Sequence, residues 1–145
     1  MPAHQRLTLA VETLFDRFLD PAYAYRFGPP SFDVMIARIK QNDVVLDECF
    51  SYVADFNILA ADTSKVDIKT KLLDESSFEL TICSPSLLQY VNISAKGYLP
   101  NDNYFHVSPD VPKTITFSLI DSSINRVKVA LSAINLDSEI NIKIN

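Results

Sequence analysis

The chain has 145 residues, of which 48% are hydrophobic and only two are glycine, Gly28 and Gly97. Nucleotide-binding loops of the Rossmann and P-loop types need clustered glycines, so both classes are excluded. The net charge of -5 argues against nucleic acids and anionic membranes as partners, because phosphate binding needs a basic face.

Length and composition are typical of one globular domain that needs neither a metal nor a disulfide to fold. The cysteines, Cys49 and Cys83, are too few for a disulfide framework, and we predict that both are buried free thiols. No apolar run is long enough to span a membrane. The segment Met1 to Leu9 lacks the apolar core of a signal peptide, so the expected location is the cytoplasm unless a leader precedes this segment.

The first thirty residues fit two patterns. Apolar residues spaced for a helix are Leu7, Val11, Leu14 and Phe18, and those spaced for a strand are Leu7, Leu9, Val11 and Phe15. Three prolines between Asp20 and Pro30 exclude a regular helix there. We therefore predict that residues 1–30 form a lead segment or the tail of a preceding domain, with a boundary near Pro30.

Beyond residue 30, apolar and polar residues alternate with a period of two, as in strands with one buried face. The runs Phe32 to Lys40 and Val44 to Val53 flank Gln41-Asn42-Asp43, which predicts a hairpin with a three-residue connection. The runs Val66 to Leu72 and Phe78 to Cys83 predict a second hairpin.

Further strands are predicted at Leu87 to Ala95, Lys113 to Leu119, Val127 to Leu131 and Ile140 to Ile144. Within Lys113 to Leu119, the side chains predicted to face inward are Ile115, Phe117 and Leu119. Seven or eight short strands without intervening helices indicate an all-β fold. A polar face on each sheet favours an antiparallel, two-sheet immunoglobulin-like β-sandwich of about seven strands over residues 31–145.

The sequence offers little for catalysis or metal binding. Its two histidines, His4 and His106, lie far apart, and no local spacing matches a metal site. A Ser-His-Asp triad is compatible with the composition, but the G-x-S-x-G elbow is absent, and we predict an ordinary hydrogen bond for His106. No glutamate lies in a distinctive motif, and we interpret the sequon Asn92-Ile93-Ser94 as accidental because its strand is apolar. We predict no catalytic residue, no metal and no cofactor.

Two segments combine aromatic and polar residues. One contains Tyr23, Tyr25 and Phe27, and the other places Tyr98, Tyr104 and Phe105 around Pro100 to Asn103. Aromatic rings beside polar loops can stack on sugars, whose axial C–H groups form an apolar patch. Aromatic residues at strand ends also close the end of a sandwich core, which is the commoner role.

These segments resemble the C-terminal region of bacterial β-mannosidases of glycoside hydrolase family 2. Ala24-Tyr25-Arg26-Phe27-Gly28-Pro29-Pro30, continuing to Val34, is similar to the family's Tyr-Arg-Phe-Gly-Pro-Pro segment before its last domain. Leu88-Gln89-Tyr90-Val91 and Gly97 to Pro109 resemble the second signature of that domain, and Ala133-Ile134-Asn135 resembles its closing strand. The resemblance covers about residues 8–145. Asp110 replaces the usual glycine after Pro109, and because Asp tolerates left-handed turns we expect the turn to survive.

The resemblance implies a non-catalytic, immunoglobulin-like accessory domain of an exo-acting mannosidase, packed against the other domains of the parent enzyme. The family's Asn-Glu acid/base is absent, and Ser138-Glu139-Ile140-Asn141 departs from its Ser-Glu-Phe/Tyr-Gly nucleophile segment. Gly28 and Gly97 fall in the two similar segments, where we expect unusual backbone angles and domain contacts. The candidate interface or structural residues are Tyr25, Arg26, Phe27, Gly28, Pro29, Pro30 and Asp33.

The alternative is a carbohydrate-binding module for mannose-containing glycans. Its candidate contacts are Tyr98, Asn101, Asp102, Asn103, Tyr104, Phe105 and His106. A stand-alone interaction domain is a third hypothesis, since the fold alone does not fix the function. None of the three hypotheses includes a nucleic acid or membrane partner.

Overall fold

The computed structural model describes residues 8–16, 20, 24–25, 28–53, 57–123 and 127–144. The chain divides into two compact units, Met1–Asn57 and Ile58–Asn145. Regular structure in the described ranges consists of β-strands and two 3₁₀ turns, Val11–Leu14 and Thr63–Lys65, so the predicted all-β class is confirmed. No helix within these ranges has the length and apolar character needed to cross a membrane.

The N-terminal unit contains a hairpin of β1 (Val34–Gln41) and β2 (Val44–Tyr52). Its turn residues, Asn42 and Asp43, have φ of 49° and 63°, which are the left-handed angles of a two-residue type I′ turn. The predicted hairpin is confirmed, but the three-residue connection was wrong because Gln41 pairs with Val44. Whether this hairpin belongs to the sandwich, as the boundary at residue 30 requires, stays a prediction.

The second unit holds eight strands in the described ranges. They are β3 (Asp67–Asp74), β4 (Ser77–Cys83), β5 (Leu88–Ala95), β6 (Tyr98–Pro100), β7 (Phe105–Val107), β8 (Lys113–Leu119), β9 (Lys128–Ser132) and β10 (Ile140–Lys143). They pair in the order β10, β9, β5, β6, β8, β4, β3, with β7 on β5. β5 meets β6 at the pair Ala95 and Tyr98, beside a turn in which Gly97 has a φ of 83°. The sheet curls at this turn into two layers, β10–β9–β5–β7 and β6–β8–β4–β3, as expected for an immunoglobulin-like sandwich.

The core of this unit is built from the alternating apolar residues of both layers. Phe78 of β4 pairs with Phe117 of β8, and their rings stack with centroids 4.6 Å apart. Ile115 and Phe117 are fully buried as predicted, while Leu119 is half-buried. Each fully buried side chain of this size contributes about 1.5–3 kcal/mol to stability, so the packing of the two layers dominates the fold.

Both cysteines are free thiols, as predicted, but the prediction that both are buried was wrong. Cys49 is exposed, and Cys83 is half-buried. Cys49 pairs with Ala37 across the hairpin, and directly paired residues share a face of the sheet. Because Ala37 is exposed as well, the pair lies on a solvent-facing side of the hairpin.

Candidate functional site

A buried polar cluster forms where the second unit begins and where β9 ends; we call Leu59, Leu87, Gln89 and Asn135 the Asn135 junction. Asn135 Oδ1 accepts a hydrogen bond from the Gln89 backbone N–H at 2.8 Å. Asn135 Nδ2 donates to the carbonyl oxygens of Leu59 and Leu87 at 2.6 and 2.7 Å. Gln89 Oε1 accepts from the Leu59 N–H at 2.7 Å. Gln89 is fully buried and Asn135 is 5% exposed, so these hydrogen bonds satisfy groups that water does not reach.

Main-chain contacts reinforce the Asn135 junction. The Ala61 N–H donates to the Asn135 carbonyl at 3.0 Å, and Ala61 forms a parallel bridge with Leu136. The Ile134 N–H donates to the Gln89 carbonyl at 3.0 Å. The first residues of the second unit are therefore fixed to both β5 and the turn after β9.

The two asparagines of the second signature act as strand partners. The Asn101 N–H donates to the Thr116 carbonyl, and Asn101 Oδ1 accepts from the Thr116 N–H, each at 2.9 Å. Asn103 Oδ1 accepts from the Ile93 N–H at 2.8 Å, and its Nδ2 donates to the Ile93 carbonyl at 3.0 Å. The Asn103 side chain, and the Asn101 backbone N–H together with its Oδ1, thus reproduce the hydrogen bonding of a paired residue where the loop leaves the sheet.

The next residues of this signature support the end of the core. Asp102 Oδ2 lies 3.2 Å from Lys113 Nζ, which sits 5.1 Å from the centroid of the Phe105 ring. The Tyr98 ring packs edge-on against Phe78 at 5.2 Å. Tyr98 and Phe105 both pack against the core cluster, which is the end-closing role considered for them. The sugar-contact role assigned to this segment stays a prediction.

Two tyrosines in this region remain exposed at strained backbone positions. Tyr90 on β5 is 45% exposed with a φ of 49°, and Tyr104 is 67% exposed with a φ of 59°. Tyr90 lies where the β5–β7 register shifts between Leu88 and Val91, which indicates a bulge. Aromatic side chains rarely adopt these angles, so the surrounding hydrogen bonds must hold them.

His106 on β7 supports the bulge. Its Nδ1 accepts a hydrogen bond from the Tyr90 N–H at 3.1 Å, and its ring packs edge-on against the Tyr90 ring at 4.7 Å. Burial lowers the pKa of His106, and a hydrogen bond with the Leu88 backbone partly opposes this. The neutral imidazole can accept the Tyr90 N–H, whereas the imidazolium cannot. The predicted ordinary hydrogen bond of His106 is confirmed.

Asp110 has a φ of 59°, so the left-handed turn survives without glycine, as predicted. Its N–H donates to the Ser84 carbonyl at 2.8 Å, which joins this turn to the segment after β4. The unusual backbone angles predicted for the two glycines are also confirmed, with φ of 81° at Gly28 and 83° at Gly97.

The first signature lies in the N-terminal unit. Tyr25 is 62% exposed, and its N–H donates to Asp20 Oδ2 at 2.8 Å. Arg26 and Phe27 lie outside the described residues. An added Cβ at Gly28 would meet open space, Pro29 is exposed and Pro30 is half-buried. The carbonyl of Asp33 accepts from the Val53 N–H at 3.2 Å. The interface role of this segment stays a prediction.

Sequence reasoning missed the connection of Gln89 with Asn135 and the exposure of Tyr90. A signal for the first was present, because Gln89 is a polar residue inside an apolar run. The sequence carries no signal for the bulge at Tyr90, because the bulge depends on how β5 pairs with β7. In the described ranges, no group of three or more His, Cys, Asp or Glu residues is arranged to hold a metal ion.

The comparisons with known proteins agree with this architecture. A family model named Ig_mannosidase, described as an Ig-fold domain, matches residues 63–138. The match runs from the 3₁₀ turn before β3 to the residues between β9 and β10, and it includes Asn135 and the second signature. No curated protein and no solved structure matches the chain.

Proposed function

The chain belongs to the Ig_mannosidase family of Ig-fold domains, and we propose that it is the accessory domain of a β-mannosidase-like enzyme of glycoside hydrolase family 2, which it supports by packing against the catalytic barrel. The observation that carries the proposal is the family match, which extends over most of the second unit. An Ig-fold domain is non-catalytic in itself, so a contribution to activity must act through contacts with other domains.

The hairpin of the N-terminal unit offers a surface for such contacts. Near its turn, Ile39, Val44 and Leu46 are each about 60% exposed, and we call these three residues the hairpin patch. Grouped exposed apolar residues mark interaction sites more often than isolated ones do. An isolated two-stranded hairpin is also marginal in water, and burial against a partner would stabilise it. We place the contact with the catalytic part of the enzyme at this patch.

The test uses a β-mannosidase that carries this chain as its C-terminal region. Deleting the region should lower both the melting temperature and the hydrolysis of an aryl β-mannoside. The double variant Ile39→Ser/Leu46→Ser should reproduce part of that loss. Leu99→Ser is the matched control, because Leu99 is 61% exposed and lies in the second unit. Full activity and thermal stability after deletion would contradict the proposal.

A further inference from the structure

The outward face of the β3–β4 pair carries charges of both signs. On the β3–β4 face, the exposed Lys69 lies opposite Thr81, and Lys71 forms an ion pair with Glu79 at 3.7 Å. This is the pattern of a solvated surface, in which charges of both signs are interspersed.

The middle of the β5–β9 outward face contains no acidic or basic side chain; we call Tyr90, Asn92, Ser94, Ala130 and Ser132 the neutral face. Asn92 pairs with Ser132, and Ser94 pairs with Ala130. Charged residues border the neutral face: Lys128 pairs with Lys143, and Glu139 accepts a hydrogen bond from Asn141, the partner of Ala130. In a chain with 21% charged residues, this neutral area combines hydroxyl and amide groups with an exposed aromatic ring.

The aromatic part of the neutral face is held in place. The His106 ring contacts the Tyr90 ring at 4.7 Å and Nδ1 accepts the Tyr90 N–H, so both the ring and its backbone are restrained. Asn103 Nδ2 donates to Asn92 Oδ1 at 3.3 Å, which orients the Asn92 amide beside them. Tyr104 follows Asn103 and is 67% exposed at the β7 edge of the same layer.

We infer that the neutral face binds an uncharged oligosaccharide. The Tyr90 ring offers an apolar surface for the C–H groups of a pyranose, and Asn92, Ser94 and Ser132 offer donors and acceptors for its hydroxyls. An uncharged ligand matches an uncharged surface on an acidic chain. A protein partner is the competing occupant: Ser and Ala are depleted in the cores of protein interfaces, whereas Tyr is enriched there. The inference is independent of the proposed docking to a catalytic barrel.

This site differs from the loop site expected from the sequence. The Asn101 and Asn103 amides are engaged with backbone groups of β8 and β5, whereas the neutral face uses sheet residues that were not singled out as sugar contacts. Tyr104 and His106, which belong to the loop site, lie beside the neutral face. An open face with one fixed ring gives weak binding, with a dissociation constant on the order of 1 mM.

The test is a titration of the ¹⁵N-labelled chain with mannotriose, and with maltotriose as a second neutral sugar. Saturable shifts are expected at the amides of Asn92, Ser94 and Ser132. Tyr90→Ala should weaken binding by about tenfold or more. Tyr25→Ala should bind normally, because Tyr25 is 62% exposed and belongs to the N-terminal unit.

A second variant guards against disturbance of the bulge. Ser94→Arg places a long cation on the neutral face without changing the core, and it should abolish the shifts. Thr114→Arg makes the same change at an exposed position of the other layer and should leave binding intact. No shift with either sugar at about ten times the expected dissociation constant would overturn the inference. So would unchanged binding by Ser94→Arg. Absence of sugar shifts together with loss of enzyme stability in Ser94→Arg would assign the face to protein docking instead.

Discussion

The side-chain carbonyl of Asn135 accepts a hydrogen bond from the backbone N–H of Gln89 at 2.8 Å, inside a sandwich that excludes water at both residues. The amide group of the same side chain donates to Leu59 and Leu87. One asparagine therefore connects the first residues of the unit with β5, so its removal should affect the whole unit.

Asn135→Ala should lower the free energy of unfolding of the Ile58–Asn145 unit by about 2–4 kcal/mol, because buried backbone groups lose their partners. Urea denaturation followed by circular dichroism measures the change. Asn141→Ala is the matched control, since Asn141 is exposed and bonds Glu139; it should change stability by less than about 0.5 kcal/mol. Equal losses in the two variants would show that the Asn135 junction contributes little to the free energy of unfolding.

Phe117→Ala should cost about 3–5 kcal/mol, because it opens a cavity beside the stacked Phe78 ring in the fully buried core. Such a loss approaches the total stability of many domains, so Phe117→Leu serves as a milder second variant. Chemical denaturation should rank wild type, Phe117→Leu and Phe117→Ala in decreasing stability. A Phe117→Ala midpoint close to that of wild type would contradict the described packing.

Stability should fall as the pH decreases below neutrality, because the pKa of His106 is lowered mainly by burial. In the unfolded chain His106 has a pKa of about 6.5. Between about pH 6.5 and the lower pKa of the folded state, the unfolded chain therefore binds more protons than the native state, and stability falls as the pH decreases. The loss should level off below the folded pKa. His106→Phe should remove this part of the pH dependence while it keeps a ring beside Tyr90. Denaturation midpoints measured from about pH 7.5 to pH 5 give the dependence of stability on pH. If His106→Phe shows the same dependence as wild type, the assignment to His106 is wrong.

Asp110→Gly should stabilise the unit by up to about 1 kcal/mol, because glycine adopts the φ of 59° found there without steric strain. Asp110→Val should destabilise it by about 1–2 kcal/mol. Asp67→Gly is the control: Asp67 begins β3, and glycine in a strand should cost about 0.5–1 kcal/mol. A higher melting temperature for Asp110→Val than for Asp110→Gly would show that the backbone at this turn is not strained.

The strands could be predicted from sequence because inward and outward residues alternate strictly where one face is buried. In β4 and β8, Phe78, Leu80, Ile115 and Phe117 are all at most 1% exposed. The type I′ turn was misjudged by one residue, because the alternation does not distinguish Gln41 as a strand end from Gln41 as a turn residue. Cys49 was misjudged because an apolar run does not reveal which face of a two-stranded hairpin is covered.

The candidate site was harder to predict because its interactions are non-local. Asn101 and Asn103 look like loop residues available to a ligand, yet their side chains pair with Thr116 and Ile93 on other strands. The bulge at Tyr90 depends on the register between β5 and β7. Neither fact follows from residues adjacent in the sequence. The family resemblance located these segments, and the structure describes what their side chains do.

The Asn135 junction also has a consequence for how the chain folds while it is being synthesised. Its hydrogen bonds reach back 46 residues to Gln89, 48 to Leu87 and 76 to Leu59. Contacts of such separation form slowly, and a growing chain acquires them only when its later residues have left the ribosome. A nascent chain that stops short of Asn135 lacks these contacts, and we expect it to be more prone to misfold at this stage than after Asn135 has emerged.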